Sequence, residues 1–480
     1  MDKAAIIEAS YEFNPTAEQR DFCKEMASFL SHDLGNQCFI LRGYAGTGKT
    51  TSVGALVKAL TKFKFRAVLL APTGRAAKVM SNYTGRKALT IHKKIYRKRS
   101  AVGTDLSFQI APNIAEHTLF IIDEASMVAD EWITQTGSSF LKDLMEFVYN
   151  GKNCAAMFVG DTAQLPPVGS IESPALNAEY MAANFGVQVK FVELKEVVRQ
   201  EKESGILANA TMLRKLIGDL EEEEDGNVVL PKFITKNYKD IFRMTGLKLV
   251  EGLEYAYSKF GIENSLVVCR SNKSANVYNQ QIRARLLYRE EELTGGDQIM
   301  VVRNNYFWLP ENESTAFIAN GDMARIVRVR RTEERYGFRF AEVQLEFLDF
   351  PEVGAVTCKV MLDTLTVETP NLSYEQNSKL FEELNLDYEH IKNKRDRFNA
   401  IKEDPYYNAL QIKFAYAVTC HKAQGGQWDA VFVDQGYLTD DMVDMDFLRW
   451  LYTGVTRAKK ELFLVNFAAN LFLASAEDEF

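Results

Sequence analysis

From Leu34 to Thr104 the chain has not one Asp or Glu, although 65 acids in 480 residues would place about nine or ten there. Fifteen Lys and Arg occupy the same stretch. A net charge of −8 argues against binding nucleic acid through bulk positive charge, and leaves a local basic segment able to follow phosphates. Acids gather elsewhere, from Glu221 to Asp225 and at Glu477, Asp478 and Glu479 before Phe480. The six cysteines (Cys23, Cys38, Cys154, Cys269, Cys358 and Cys420) form no CxxC pair, so neither a zinc cluster nor a disulfide framework is expected. No apolar run approaches the roughly 18 residues of a membrane span, and the N-terminus lacks a charged leader with an apolar core. The expected location is cytoplasmic, with no membrane contact. There is no short-period repeat and no long low-complexity tract.

What is present has globular proportions, 46% hydrophobic and 25% charged, and a length that calls for three or four compact units. Gln37 to Arg42 is an apolar run ending at a glycine loop, after which Val53, Leu56, Val57 and Leu60 recur at helical spacing. Buried strands are expected at Ala67–Ala71, Leu119–Ile122, Ala155–Val159 and Phe191–Leu194. Helical stretches between them imply a parallel sheet covered on both faces. A second α/β set begins at Ser265–Cys269 with a helix over Ser274–Leu287, and resumes at Ala430–Val433 and Leu462–Val465. Within it, Asp297–Val302, Met323–Val329, Ala341–Phe347 and Val356–Leu362 read as short antiparallel strands of a small β-barrel. The charged residues from about Ser373 to Lys402 suit an inserted helical arm.

Gly43, Tyr44, Ala45, Gly46, Thr47, Gly48, Lys49 and Thr50 fit GxxxxGK[ST] between a strand and a helix. Glycines let backbone N–H groups close on phosphate oxygens, Lys49 reaches the outer phosphates, and Thr50 can ligate Mg²⁺. The motif alone does not choose among kinases, GTPases and motors. The strand Leu119–Ile122 ends in Asp123 and Glu124, beside that loop in such a sheet. Asp123 can hold Mg²⁺ through water and Glu124 can polarise an attacking water, which points to hydrolysis.

Asp123, Glu124, Ala125 and Ser126 resemble the DEAS-type box of superfamily 1 helicases, and Gly160, Asp161, Gln164, Leu165, Pro166, Pro167 and Val168 resemble their GDxxQLPPV motif. Ala71 to Ala77 is similar to the APTGRAA element, and Thr90, Ile91 and His92 to the TIH element. Thr419, Cys420, His421, Lys422, Ala423, Gln424 and Gly425 resemble THKxQG, and Tyr452 to Ala458 resembles the YxxxTRA box. Val198, Arg199 and Gln200 resemble the VRQ element, and Asn14, Thr16, Glu18 and Gln19 the Q motif. Gly296 to Met300 with Asn320, Gly321 and Asp322 resemble the SH3-like insertion of the RecD/Dda-like branch, which moves 5′ to 3′.

That resemblance implies an ATP- and Mg²⁺-dependent DNA helicase acting on single strands and on junctions of single- and double-stranded DNA, in repair, recombination or replication. Its catalytic residues are then Lys49, Glu124, Gln164 as phosphate sensor, Arg199 as a second γ-phosphate contact and Arg457 as arginine finger. The nucleotide contacts are Gln19 at the adenine edge, Gly43, Ala45, Gly46, Thr47, Gly48, Lys49, Thr50, Thr51, and Gln427 where many members have Glu. Thr50 and Asp123 hold the metal, and Pro72, Thr73, Thr90, His92, Thr419 and His421 touch the strand. The implied fold is α/β: two RecA-like P-loop lobes, with a hairpin insertion in the first and an SH3-like barrel plus helical arm in the second. The expected boundaries are 1–92 and 118–200 for the first lobe around a pin-like insertion at 93–117, and 201–292 and 405–480 for the second lobe. The barrel takes 293–372 and the arm 373–404. Two other readings are a motor subunit of an exodeoxyribonuclease V-like complex, with nuclease or recombination activity supplied by a partner, and a nucleotide-dependent interaction switch without motor action.

Overall fold

The computed structural model describes residues 2–98, 108–133, 138–197, 204–222, 229–309, 318–369, 371–439 and 442–473. The expectations for Val198, Arg199 and Gln200, for 223–225 of the acidic run and for the acidic C-terminal end lie outside the described residues.

Alternation along the strands decides the first sheet. In Gln37–Gly43, Phe39 and Leu41 join one core while Cys38 and Ile40 join another, and all four are buried. A strand apolar on both sides needs cover on both sides. Ala17–Phe29, Lys49–Leu60 and Gly74–Thr84 cover one face through Phe22, Met26, Val53, Leu56 and Met80. Phe140–Tyr149 covers the other through Leu141, Leu144 and Val148. The six strands are all parallel, in the order Gln188–Leu194, Gln37–Gly43, Lys152–Gly160, Glu116–Ile122, Arg66–Ala71, Ala88–Thr90. Gly43, Ala71, Ile122 and Gly160 therefore end along one edge, where the loops that follow them form a common rim. In the expected pin, Tyr96–Lys98 pairs antiparallel with Phe108–Ile110.

The second lobe is a five-stranded parallel sheet in the order Ile241–Met244, Ala458–Val465, Trp428–Asp434, Ser265–Cys269, Ala417–Thr419. Its two edge strands are four and three residues long and escape the sequence reading. The helix expected over Ser274–Leu287 is α-helical as Asn272–Gln281 and widens into a π turn over Ile282–Leu286. There Arg283 meets Asp297 through Nε and Nη2, each at 3.0 Å.

Gln298–Val301, Met323–Arg335, Phe338–Phe347, Ala355–Met361 and Leu410–Phe414 close into a barrel. This corrects the boundary placed at 405, because Leu410–Phe414 belongs to the barrel and the arm is inserted within it. Leu410 and Ile412 are buried in the apolar core shared by the barrel and the second lobe. Gln411 and Lys413 are covered by the preceding segment, through Leu372 N–H to Gln411 Oε1 at 3.0 Å and Lys413 Nζ to the Val367 carbonyl at 2.5 Å. The closing pair, Val360 with Leu410, is parallel, unlike the other pairings of the barrel. The arm helices Tyr374–Asp387 and Lys394–Lys402 lie on one end of the barrel, where Leu380, Leu384 and Ile401 pack with Phe338 and Phe340. Among the described residues no helix is long and apolar enough to cross a membrane. The six cysteines are buried and unbridged.

Candidate nucleotide site at the junction of the lobes

The glycine loop turns into its helix at Gly48, whose φ of 84° is the left-handed conformation that favours glycine. Lys49 Nζ donates to the carbonyls of Gly43 at 2.5 Å and Tyr44 at 2.9 Å, and lies 4.0 Å from Asp161 Oδ2. Thr50 and Thr51 are exposed on the first helical turn. Gln19 is buried, with Oε1 accepting the Thr16 N–H at 3.0 Å and Nε2 donating to the Thr47 carbonyl at 3.4 Å. Its amide thus ties the opening helix to the loop, a role its place in a Q-type string does not reveal.

At the end of the Glu116–Ile122 strand, Asp123 Oδ2 accepts the Tyr83 hydroxyl at 2.6 Å and Oδ1 accepts the Glu124 N–H at 2.9 Å. Glu124 has a φ of 51°, a strained conformation for a residue with a side chain. Burial pushes both carboxyls above their ordinary range. The strongest opposing influence is the Tyr83 hydroxyl on Asp123 and the Arg457 guanidinium on Glu124. Asp161 is buried, with Oδ1 accepting the Ala163 N–H at 3.0 Å. Gln164 is buried nearby in sequence, and its Oε1 has no hydrogen-bond partner. An orphaned buried acceptor is costly in a finished interior and fits a residue that works on a bound phosphate or its water.

The second lobe meets this rim directly. Tyr452 hydroxyl accepts the Ala45 N–H at 2.8 Å and donates to Asp161 Oδ2 at 2.7 Å. Leu165 N–H donates to Thr453 Oγ1 at 2.9 Å, and Gln424 Nε2 donates to the Leu165 carbonyl at 2.7 Å. Arg457 is buried and held by the carbonyls of Thr453 at 2.9 Å and Gly426 at 3.2 Å. Arg214 lies over the Tyr44 ring, 4.7 Å from its centroid. Tyr83 and Arg214 stand in no motif. Tyr452, Thr453 and Gln424 fall inside motif strings, yet only the fold reveals their partners.

The expected strand contacts divide. His421 shares a cleft of about 520 Å³ with Pro166, Pro167, Val168, Arg270 and Trp450, which brings the THKxQG and LPPV strings together. Thr73 Oγ1 caps the Gly74–Thr84 helix by accepting the Ala76 N–H at 3.2 Å, next to Pro72. Thr90 is buried and caps its own turn through the Lys93 N–H at 3.3 Å. The His92 ring stacks on Phe140 at 4.5 Å, and burial lowers its pKa to about 4, so it is neutral at pH 7. Thr90 and His92 thus make these contacts within the first lobe. Thr419 opens the Cys420–Ala423 turn with no side-chain cap. Gln427 is exposed and its carbonyl accepts Arg75 Nη2 at 3.3 Å, which places it beside the Gly74–Thr84 helix.

The acid-free stretch also receives the barrel. Arg75 Nη1 and Lys78 Nζ lie 3.3 and 3.6 Å from Asp349 Oδ1, and Lys93 Nζ stands 4.6 Å from the centre of the Phe350 ring. Asp322 Oδ1 lies so close to Gly74 that a Cβ there would require one of the two to shift. The Asp349 carboxylate from the barrel thereby neutralises part of the basic segment.

Residues 15–224 match the family described as AAA domain, and residues 414–465 the family described as UvrD-like helicase C-terminal domain. Over 446 residues the chain is 24% identical to the ATP-dependent DNA helicase dda of Enterobacteria phage T4, spanning 88% of this chain and 93% of that protein. A 155-residue stretch is 32% identical to the ATP-dependent RecD2 DNA helicase of Deinococcus radiodurans, spanning 32% of this chain and 19% of that protein. The chain is also similar to the Bacteroides Pif1 helicase solved in complex with ADP-AlF3 and ssDNA, at 14% identity and a TM-score of 0.46, over 97% of this chain and 95% of that one. The chain is thus similar to a DNA helicase along most of its length and to a second one over 155 residues, with a UvrD-like helicase C-terminal match over residues 414–465.

Proposed function

We propose that this protein is an ATP-dependent DNA helicase that converts hydrolysis at the lobe junction into 5′-to-3′ movement along single-stranded DNA and into duplex unwinding. The observation that carries the reading is the meeting of the Lys49, Asp123, Glu124 and Gln164 rim with the Tyr452–Arg457 segment of the other lobe through direct hydrogen bonds. Closure of two lobes on one nucleotide is the arrangement in which hydrolysis can drive a change of their relative position.

Lys49 and the loop N–H groups bind the phosphates, while Thr50 and Asp123 are the residues that would hold Mg²⁺, which would supply neutralisation of phosphate charge. Glu124 takes a proton from the attacking water, Gln164 orients that water or senses the terminal phosphate, and Arg457 stabilises the charge that develops on it. Pro72, Thr73, His421 and the proline pair grip the strand alternately from the two lobes. Polarity is read from the RecD/Dda-like motifs, including Gly296 to Met300 and Asn320 to Asp322.

Two duplexes, one with a 5′ single-stranded tail and one with a 3′ tail, test the reading in the presence of ATP and Mg²⁺. Unwinding of the 5′-tailed substrate is expected, with ATP turnover raised by single-stranded DNA. Turnover indifferent to any strand overturns the motor, and unwinding of the 3′-tailed substrate alone overturns the polarity.

A further inference from the structure

The hydroxyl of Tyr452 is where the glycine loop, the loop after Lys152–Gly160 and the Met445–Val455 helix converge. It accepts the Ala45 N–H at 2.8 Å and donates to Asp161 Oδ2 at 2.7 Å, and that same oxygen lies 4.0 Å from Lys49 Nζ. The side chain is 1% exposed, and burial together with Asp161 raises the phenol well above its ordinary pKa, so it remains a proton donor.

A buried phenol needs partners, and Asp161 alone would satisfy that need. The Ala45 bond is of another kind. Backbone N–H groups of a GxxxxGK[ST] loop are phosphate donors, and here one of them is held by the opposite lobe. Five residues after Tyr452 stands Arg457, tied to the same helix by its Nε bond to the Thr453 carbonyl.

We propose that Tyr452 is a positioning residue that reports filling of the glycine loop to the second lobe. Its hydroxyl holds the Ala45 N–H until a nucleotide phosphate takes that donor, and loss of the bond lets the Met445–Val455 helix move and carry Arg457 with it. The proposal rests on the ATP-driven reading above. A charged phosphate oxygen wins an N–H from a neutral phenol, because charge-assisted hydrogen bonds are roughly twice as strong as neutral ones. The exchange strands no carboxylate, since Asp161 keeps the Ala163 N–H and stands 4.0 Å from Lys49 Nζ when Tyr452 moves off.

Tyr452→Phe keeps the ring and removes the bond. Without DNA, its Kd for a fluorescent ADP analogue is expected to fall about three- to ten-fold, the scale of one net hydrogen bond that the wild type gives up on loading. Adding a non-hydrolysable ATP analogue is expected to change single-stranded DNA affinity in the wild type, and to leave it nearly unchanged in the variant. A variant that matches the wild type in both measurements overturns the proposal. Independently of how the variant folds, 3-fluorotyrosine at position 452 of the otherwise unaltered protein is expected to show a shifted ¹⁹F resonance on adding ADP and Mg²⁺. An unmoved resonance overturns it as well. A wild type that binds nucleotide but hydrolyses it regardless of DNA would sink the helicase reading, and the binding comparison would still stand or fall by itself.

Discussion

Glu124 stands in a left-handed conformation that costs on the order of 1–3 kcal/mol for a residue with a side chain. Such strain persists where neighbours fix it, and here the Asp123 carboxylate accepts the Glu124 N–H. Its carboxyl is buried and feels Arg457 as its strongest opposing charge. Glu124→Gln preserves size and removes the base, so DNA-stimulated phosphate release is expected to drop about 10²- to 10⁴-fold. Equilibrium binding of ADP and of single-stranded DNA should persist in that variant, and substantial unwinding by it would take Glu124 out of the role. Arg457→Ala is expected to lower kcat by about 10³-fold or more, with a small change in KM, because the guanidinium acts on charge that develops only in the transition state. Lysine at the same position should recover little of the loss, since a point charge lacks the planar fork that now spans the Thr453 and Gly426 carbonyls. A rise in KM with kcat intact would assign Arg457 to ground-state binding instead.

At the scale of elements, legibility followed locality. The strand Gln37–Gly43, the glycine loop and the helix Lys49–Leu60 are contiguous, and their apolar spacing and glycines declare them. Ile241–Met244 and Ala417–Thr419 are too short for an alternation to register, and they become strands only because a long neighbour pairs with them. Leu410–Phe414 differs again: the charged arm separates it in sequence from the other barrel strands, and only in the fold does it pair with them while the Val367 and Leu372 backbone covers Gln411 and Lys413. The candidate site divides in the same way. Asp123, Glu124, Gln164 and Arg457 sit in strings that can be read one at a time, whereas the Ala45–Tyr452 bond joins residues 407 positions apart and belongs to the fold. The misplaced barrel strand can be checked directly. Ile412 is 0% exposed, and Ile412→Ala is expected to destabilise the protein by about 2–5 kcal/mol, read as a lowered denaturation midpoint. Tyr374→Ala, at a side chain 87% exposed on the arm, should change stability by less than about 0.5 kcal/mol. Equal effects of the two would remove Leu410–Phe414 from the core.

For the whole molecule, the contact between barrel and first lobe ties stability to pH. Asp322 Oδ1 is buried without a hydrogen-bond partner, while Oδ2 accepts the Ala319 N–H at 2.7 Å. Burial raises its pKa from 3.8 to about 7; Lys93 from the first lobe opposes the rise, and Asp349 from the barrel adds to it. An acid with its folded pKa above its unfolded one binds protons more tightly when folded, so its neutral form stabilises the fold. That contribution is complete below about pH 3.8, declines as pH climbs, and is gone above about pH 7. His92 acts oppositely: its pKa falls from 6.5 to about 4, so the stability contributed by the neutral ring is complete above 6.5 and lost as pH drops through 4. Wild-type melting alone therefore mixes the two trends. Asp322→Asn imitates the neutral acid and leaves His92 untouched, so the difference between the two proteins isolates Asp322. The wild type is expected to lose stability relative to Asp322→Asn between pH 5 and pH 8, with most of the divergence complete near pH 7. Parallel curves across that range would mean that Asp322 is ionised in the fold just as it is in the unfolded chain, and that the barrel rests on the first lobe through the Arg75, Lys78 and Asp349 ion pairs without a proton-linked contribution from Asp322.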